Sequence, residues 1–209
     1  MAALCVASPV SAQPAPDALF DQVERGLLDA AFVEIACVVA STGAVSSSLE
    51  GSLVIREGRE VTLAFTGTFA DQAVDVRLES DGDRLTGQAG AVAIDQASPP
   101  ALVEALVVGF TRMGILHNLA RLSAGQIPDR ADGGVRDFVQ VSGFAREENS
   151  GQQGQLVRFA LRVNGQPSGE ASLLIADDGV PLQRTQRVAF PQGEMRVFER
   201  YDATVVPGD

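Results

Sequence analysis

The sequence predicts an α+β fold in which a large, curved antiparallel sheet, a half-barrel, carries helices packed on its concave face. Three observations lead there. Apolar residues alternate with polar or small ones at period two in two long series, Phe32 to Leu85 and Val139 to Thr204, and turn residues punctuate both. A short amphipathic segment precedes the first series. Between the two series lies the most apolar stretch of the chain, Ala101 to Ala124. A long, twisted antiparallel sheet curls, and a helix that is apolar over most of its surface has to lie against the curled face.

The elements follow in order. Residues 1–12 contain a short apolar run and end Val10-Ser11-Ala12, the small-x-small pattern of a secretory cleavage site, although no basic region precedes the run. They are expected to be a signal-peptide remnant, with residues 13–16 a linker, residues 17–206 a single half-barrel domain and the periplasm as its compartment. Cys5 would leave with the signal, and Cys37 would remain as a lone thiol filling an apolar strand. Asp17 is placed to cap a helix in which Leu19, Val23 and Leu27 recur every four residues while Asp21, Gln22, Glu24, Arg25 and Asp29 face away.

Strands are then expected around Val33–Val39, Leu49–Ile55, Val61–Phe65 and Val74–Leu78, with a further one from Leu85, and turns at Glu57-Gly58 and Ser80–Asp83 separate them. Ser98-Pro99-Pro100 opens the apolar stretch and Gly125 with Pro128 closes it, which predicts a helix. Glu104, Arg112, His117 and Arg121 would sit at membrane depth, and a central Arg costs on the order of 3 kcal/mol on insertion scales, so the stretch is not a membrane span. Gly109 and Gly114 weaken the helix and predict a bend or a split. Glu104, Thr111 and Asn118 fall on one stripe, opposite Leu102, Leu106, Phe110, Met113, Leu116 and Ala120. The second series turns at Asn164-Gly165, at Asp177-Asp178-Gly179 and at Pro191-Gln192-Gly193, and Glu147 to Gln155 is a polar connection.

Composition excludes several chemistries. All 16 basic residues are Arg, there is no Trp, and the chain of 209 residues carries one Tyr, one His and two Cys. A P-loop lysine, a Schiff base and an ordinary His/Cys zinc site are therefore out of reach, and neither a metal nor a cofactor is expected. The net charge of −11 repels nucleic acid and anionic bilayers.

His117 is the one side chain that titrates near neutrality unaided, and beside Leu116 and Leu119 it reads as a core or pocket-lining residue. Gly165-Gln-Pro-Ser168-Gly169 fails the spacing of a nucleophile elbow. The acidic pairs Asp81/Asp83 and Asp177/Asp178, and Asp132 before Gly133, stand where turns need them and match no calcium loop. Arg184, Arg187, Arg196 and Arg200 lie on the last two strands, either to clamp an anionic group or, by the commoner use, to pair with Glu194 and Glu199 across strands. What is abundant is apolar surface. If helix and sheet leave a gap, Leu106, Phe110, Met113 and His117 on the helix and Phe65, Phe159 and Phe190 on the sheet would line a lipophilic pocket; if they fill the space, the same residues form a packed core.

The order of helix, strand series, buried helix and second strand series, with Asp178-Gly-Val-Pro181-Leu-Gln-Arg184 followed by Phe190-Pro-Gln-Gly193-Glu-Met-Arg-Val197 and Glu199-Arg-Tyr201, resembles the LolA/LolB-like periplasmic lipoprotein-carrier superfamily. The resemblance implies an unclosed barrel with helices as a lid, a hydrophobic cavity that holds acyl chains, and no catalytic residues. This chain departs from those carriers in being acidic and in lacking Trp and Lys. The expected function is thus an exported, non-enzymatic protein that binds a hydrophobic small molecule or lipid between sheet and helix. The alternative is a structural or interaction module of the cell envelope, with envelope proteins as partners and a solid core.

Overall fold

A computed structural model of the chain describes residues 14–123, 135–147, 154–191 and 193–208. The expected signal segment, the Gly125–Pro128 helix stop and most of the polar connection after Glu147 lie outside the described residues. Helix α1 (Pro16–Leu28) begins two residues earlier than a cap at Asp17 implies. Proline is preset for the first helical turn, so Ala15 takes the cap position and Asp17 falls inside, where its charge meets the positive end of the helix dipole. Leu19, Phe20, Val23 and Leu27 are buried, in keeping with the spacing. Glu24, which the sequence places on the solvent side, is buried too, because Arg112 meets it there.

Six strands follow as a meander: β1 (Ala30–Gly43), β2 (Ser47–Arg56), β3 (Glu60–Phe69), β4 (Gln72–Ser80), β5 (Arg84–Ala89) and β6 (Val92–Ala97). A second meander comprises β7 (Val139–Glu147), β8 (Gln155–Val163), β9 (Gln166–Ile175), β10 (Pro181–Phe190) and β11 (Gly193–Pro207). They form one open sheet of 11 strands in the order β6-β5-β4-β3-β2-β1-β11-β10-β9-β8-β7. Every pairing is antiparallel, and the two meanders meet where β1 pairs with β11, Cys37 opposite Tyr201 and Val39 opposite Glu199. The alternation read from sequence sends Val33, Ile35, Cys37 and Val39, then Leu49, Leu53 and Ile55, then Val61, Leu63 and Phe65 to the buried face. Strand β6 has no counterpart in that reading, since Ile94 is its one buried residue.

Turn chemistry sets the hairpins. Glu57-Gly58 (φ 50° and 62°) and Asn164-Gly165 (φ 49° and 73°) adopt the paired positive φ of a two-residue hairpin turn. Ala70-Asp71 does the same at 49° and 62° without a glycine.

The apolar stretch splits, as its glycines predict. Helix α2 (Leu102–Val108) passes into a π-helical turn, Gly109–Met113, and Gly114 at φ 82° ends it before α3 (Ile115–Ser123) begins. Asn118 Nδ2 donates to the Leu106 carbonyl at 3.1 Å, and a Cβ on Gly109 would stand 2.0 Å from Asn118 Oδ1. The Asn118 side chain thus ties α3 back to the end of α2 across the break. Thr111 and Asn118, expected on a polar stripe with Glu104, are both buried, Asn118 on Leu106 and Thr111 against Glu24 of α1. Glu104 is half-buried and pairs at 3.3 Å with Arg136 of α4 (Val135–Phe138).

Candidate functional site

Two sets of buried charged side chains lie between the helical layer and the sheet, one a close ion pair and the other cross-strand neighbours that share no hydrogen bond. In the first, Arg112 of the π turn makes a bidentate pair with Glu24 of α1, Nε to Oε1 and Nη2 to Oε2 both at 2.7 Å, while its Nη1 donates to the Val139 carbonyl at 2.7 Å. Thr111 Oγ1 also donates to Glu24, at 2.8 Å. The carboxylate and the guanidinium are therefore satisfied inside the protein, as buried charges must be.

The second pair stands at the junction of the two meanders. Arg184 of β10 and Glu199 of β11 are both fully buried and serve the two ends of the helix break. Arg184 Nη2 donates to the Arg112 carbonyl at 2.6 Å, closing the π turn, and the Leu116 amide at the start of α3 donates to Glu199 Oε1 at 3.3 Å. A carboxylate there satisfies amides that have no partner within the helix and faces the positive end of the dipole. Tyr201 donates its hydroxyl to Glu199 Oε2. Gly114 sits directly over the pair: a Cβ at that position would lie 2.6 Å from Glu199 Oε1 and 2.7 Å from Arg184 Nη1.

Burial pushes the Glu199 carboxyl above the ordinary carboxylate range, opposed by the Arg184 charge, the Tyr201 hydroxyl and the amides of Leu116 and Ile115. Burial lowers Arg184, with the Glu199 and Tyr201 charges opposing it, and it raises Tyr201 well above a free phenol. It also raises the Cys37 thiol, helped by the Glu199 charge. The sequence reading expected Arg184, Arg187, Arg196 and Arg200 to pair with Glu194 and Glu199 across strands, and Arg184 does stand opposite Glu199 in the register of β10 and β11, though both are buried. At the surface, Arg187 meets Glu194 across strands at 2.7 Å, and Arg196 meets it along β11 at 2.8 Å.

A cavity of about 640 Å³ opens on the buried face of the sheet beneath α3. Leu49, Ala89 and Leu119 lie deep in it, and Leu116 completes the helix side. Phe69 and Val74 contribute the sheet side, and Ala70, Gln72, Ala73, Ala91 and Val92, all exposed, form its rim at the tips of the β3–β4 and β5–β6 hairpins. The volume falls within the range of small-molecule sites, and the lining is apolar apart from Gln72 and Asp75.

The sequence-predicted pocket residues do not surround this space. Phe110 packs on Tyr201 with ring centroids 4.5 Å apart, and Phe159 packs on Phe20 at 4.8 Å. Phe65 lies against Gly51, where a Cβ would come within 2.6 Å of its ring. Leu106 and Met113 are buried in the same core, and His117 is half-buried on α3. Phe190 closes β10, and its side chain lies outside the described residues. Reasoning from size favoured other aromatics, whereas the hollow is lined mainly by small and aliphatic residues, with Phe69, many of them at hairpin tips that no periodicity marks. Leu116 and Leu119 were the legible part, as neighbours of His117.

Among the described residues no group of three or more His, Cys, Asp or Glu could hold a metal ion, and no helix is long and apolar enough to cross a membrane. No protein-family model and no curated protein matches the sequence. Among solved structures, the chain is similar to one in the MucA/MucB complex of Pseudomonas aeruginosa, with 12% identity over 93% of this chain and a TM-score of 0.42. It spans 59% of that chain. It is also similar to an outer-membrane lipoprotein-sorting protein domain from Vibrio parahaemolyticus, with 9% identity over 90% of this chain and 92% of that one and a TM-score of 0.31. A LolA superfamily protein from Nitrosomonas europaea shows 10% identity over 94% of this chain and 95% of that one, with a TM-score of 0.32, and the likeness to all three is one of fold.

Proposed function

We propose that this chain is an exported, non-enzymatic protein that holds a lipid or another acyl-bearing hydrophobic ligand between its sheet and its helical lid. The observation that carries the reading is the apolar cavity beneath α3, buried at its floor and exposed at its rim. A folded chain that leaves about 640 Å³ beside its core has forgone contacts that filling would supply, and a hollow with a mainly apolar lining favours an apolar occupant. Leu106, Phe110, Met113 and His117 belong to the lid, and Leu116 and Leu119 are its ligand-facing residues. A periplasmic compartment agrees with the signal-like start of the sequence. The buried ionisable groups support the non-enzymatic reading, because Glu24 and Arg112 are engaged with each other, and Arg184 Nη2 and Glu199 Oε1 with the backbone at the helix break.

The test is native mass spectrometry with lipid extraction on gently purified protein. A non-covalent adduct of amphiphile mass, lost on denaturation and absent from Ala89→Phe, which fills the cavity floor, is the supporting result. An adduct-free protein that also fails to take up the neutral dye Nile red would overturn the proposal and leave the envelope interaction module with a solid core.

A further inference from the structure

The open sheet has two edges, and they are built differently. Strand β7 is broken by a bulge between Ser142 and Ala145, where Gly143 takes φ 64°, and Arg146 near its end donates to the Pro14 carbonyl ahead of α1. Bulges and covering segments of this kind keep an edge from pairing with another chain. Strand β6 carries neither. It runs unbroken through 6 residues, Val92–Ala97, without a proline, a bulge or an inward-pointing charge.

The ladder with β5 fixes which of its backbone groups are open. Ala89 and Val92 pair across the turn Gly90-Ala91, and the Ser98 amide donates to the Asp83 carbonyl at 2.8 Å. Antiparallel hydrogen bonds recur at every second residue, so Val92, Ile94 and Gln96 bond to β5, while Ala93, Asp95 and Ala97 turn their N–H and C=O groups outward. All three residues are exposed, and among the described residues none of these groups has a partner.

Both faces of the strand select what pairs there. On the buried face stand Ile94 and the cavity-lining Val92, the latter 43% exposed. On the outer face Asp95 lies between Ala93 and Ala97, in a cross-strand row with Thr86 and Glu79. The two alanines leave room for long side chains, and the row presents two carboxylates. Asp95 also meets Arg84, but both side chains are 62% exposed, so the pair is weak and the carboxylate has acceptor sites to spare. Residues 70–98 carry six carboxylates against the two guanidinium groups of Arg77 and Arg84, in a chain of net charge −11. A second copy would bring the same excess charge to the edge, whereas a basic segment is drawn to it.

We infer that β6 is a docking edge for an extended, basic segment of another protein, which joins the sheet through the backbone of Ala93, Asp95 and Ala97. Alternate residues of that segment are apolar, beside Val92 and Ile94, and the others are Lys or Arg, beside Asp95 and Glu79. The edge borders the cavity mouth, but the inference does not depend on what the cavity holds.

The experiment titrates the full chain with two short fluorescent peptides, one alternating Lys with Val and one alternating Glu with Val. Anisotropy reports binding, and NMR reports amide exchange at Ala93, Asp95 and Ala97. The Lys–Val peptide is expected to bind about tenfold tighter than the Glu–Val peptide and to slow exchange of the three amides about tenfold or more at saturation. Ala93→Pro removes an outward donor without breaking a bond of the sheet, so it should keep the melting temperature and weaken the peptide about fivefold. Asp95→Asn leaves the backbone unchanged and should weaken it about threefold, and by less in high salt. Should Ala93→Pro lower the melting temperature, Asp95→Asn and the amide exchange decide. No binding, equal binding of the two peptides, or binding that leaves the three amides exchanging at their free rate would overturn the inference. A dimer of the chain in sedimentation that Ala93→Pro dissolves would overturn it as well, since the edge would then belong to a second copy.

Discussion

At the scale of single residues, Arg184 and Glu199 decide how the helices meet the sheet. Breaking a buried pair by removing one partner costs about 3–5 kcal/mol, because the survivor is left charged and uncompensated, whereas replacing both by apolar residues of similar volume is often near neutral. Glu199→Leu is therefore expected to lower unfolding free energy by several kcal/mol in urea melts, and Arg184→Met/Glu199→Leu to recover part of that loss. The recovery stays incomplete, since both side chains also bind helix-end backbone groups.

The same groups impose a pH dependence. A carboxyl held above its unfolded value binds its proton more tightly in the native chain, so the stability it contributes is complete below about pH 4 and is lost as pH rises through the raised value. Tyr201 and Cys37, shifted in the same direction, extend the loss into the alkaline range. Glu199→Gln should flatten the acidic part of that curve, and a slope unchanged by the substitution would contradict the assignment. Glu199 was legible in principle, for Met195, Val197, Glu199 and Tyr201 share one strand parity and three of the four belong in a core. Arg184 was not, because a guanidinium on a late strand reads as a surface charge until its partner and the helix end it serves are known.

At the scale of elements, the split of the apolar stretch is the informative event. Its glycines announced a break, and the sequence could go that far because Gly109 and Gly114 are poor helix formers wherever they occur. The π turn and the tie between α3 and α2 were not legible, since they depend on Asn118 reaching Leu106 and on charged residues some 70 or more positions away. Gly114→Ala should destabilise the chain by about 2 kcal/mol or more, combining left-handed strain with contact against Glu199 and Arg184. Gly90→Ala is the control: it has positive φ as well, at 58°, but nothing within 4 Å, and should cost only the strain, about 1–2 kcal/mol. Equal losses in the two variants, measured in the same urea series, would mean that the close approach over the charged pair carries no weight.

For the whole molecule, one large curved antiparallel sheet with its helices on the buried face was legible from alternation and turn residues, β6 apart, since both are local signals that repeat along the chain. The position of the hollow was not. It depends on how far α3 reaches over the hairpin tips, which follows from the break at Gly114 and the anchoring of Leu116 to Glu199. A lid held in this way leaves the Phe110–Tyr201 centre solid and the β3–β6 end open, so the ligand is expected at that end alone. Methyl chemical-shift mapping by NMR during a Nile red titration examines this. Shifts concentrated at Leu49, Val74, Val92, Leu116 and Leu119, with Leu106 and Val33 unmoved, are the expected result. Saturable binding whose shifts centre on the Phe110 core, or no shifts at the cavity methyls at saturating dye, would contradict it.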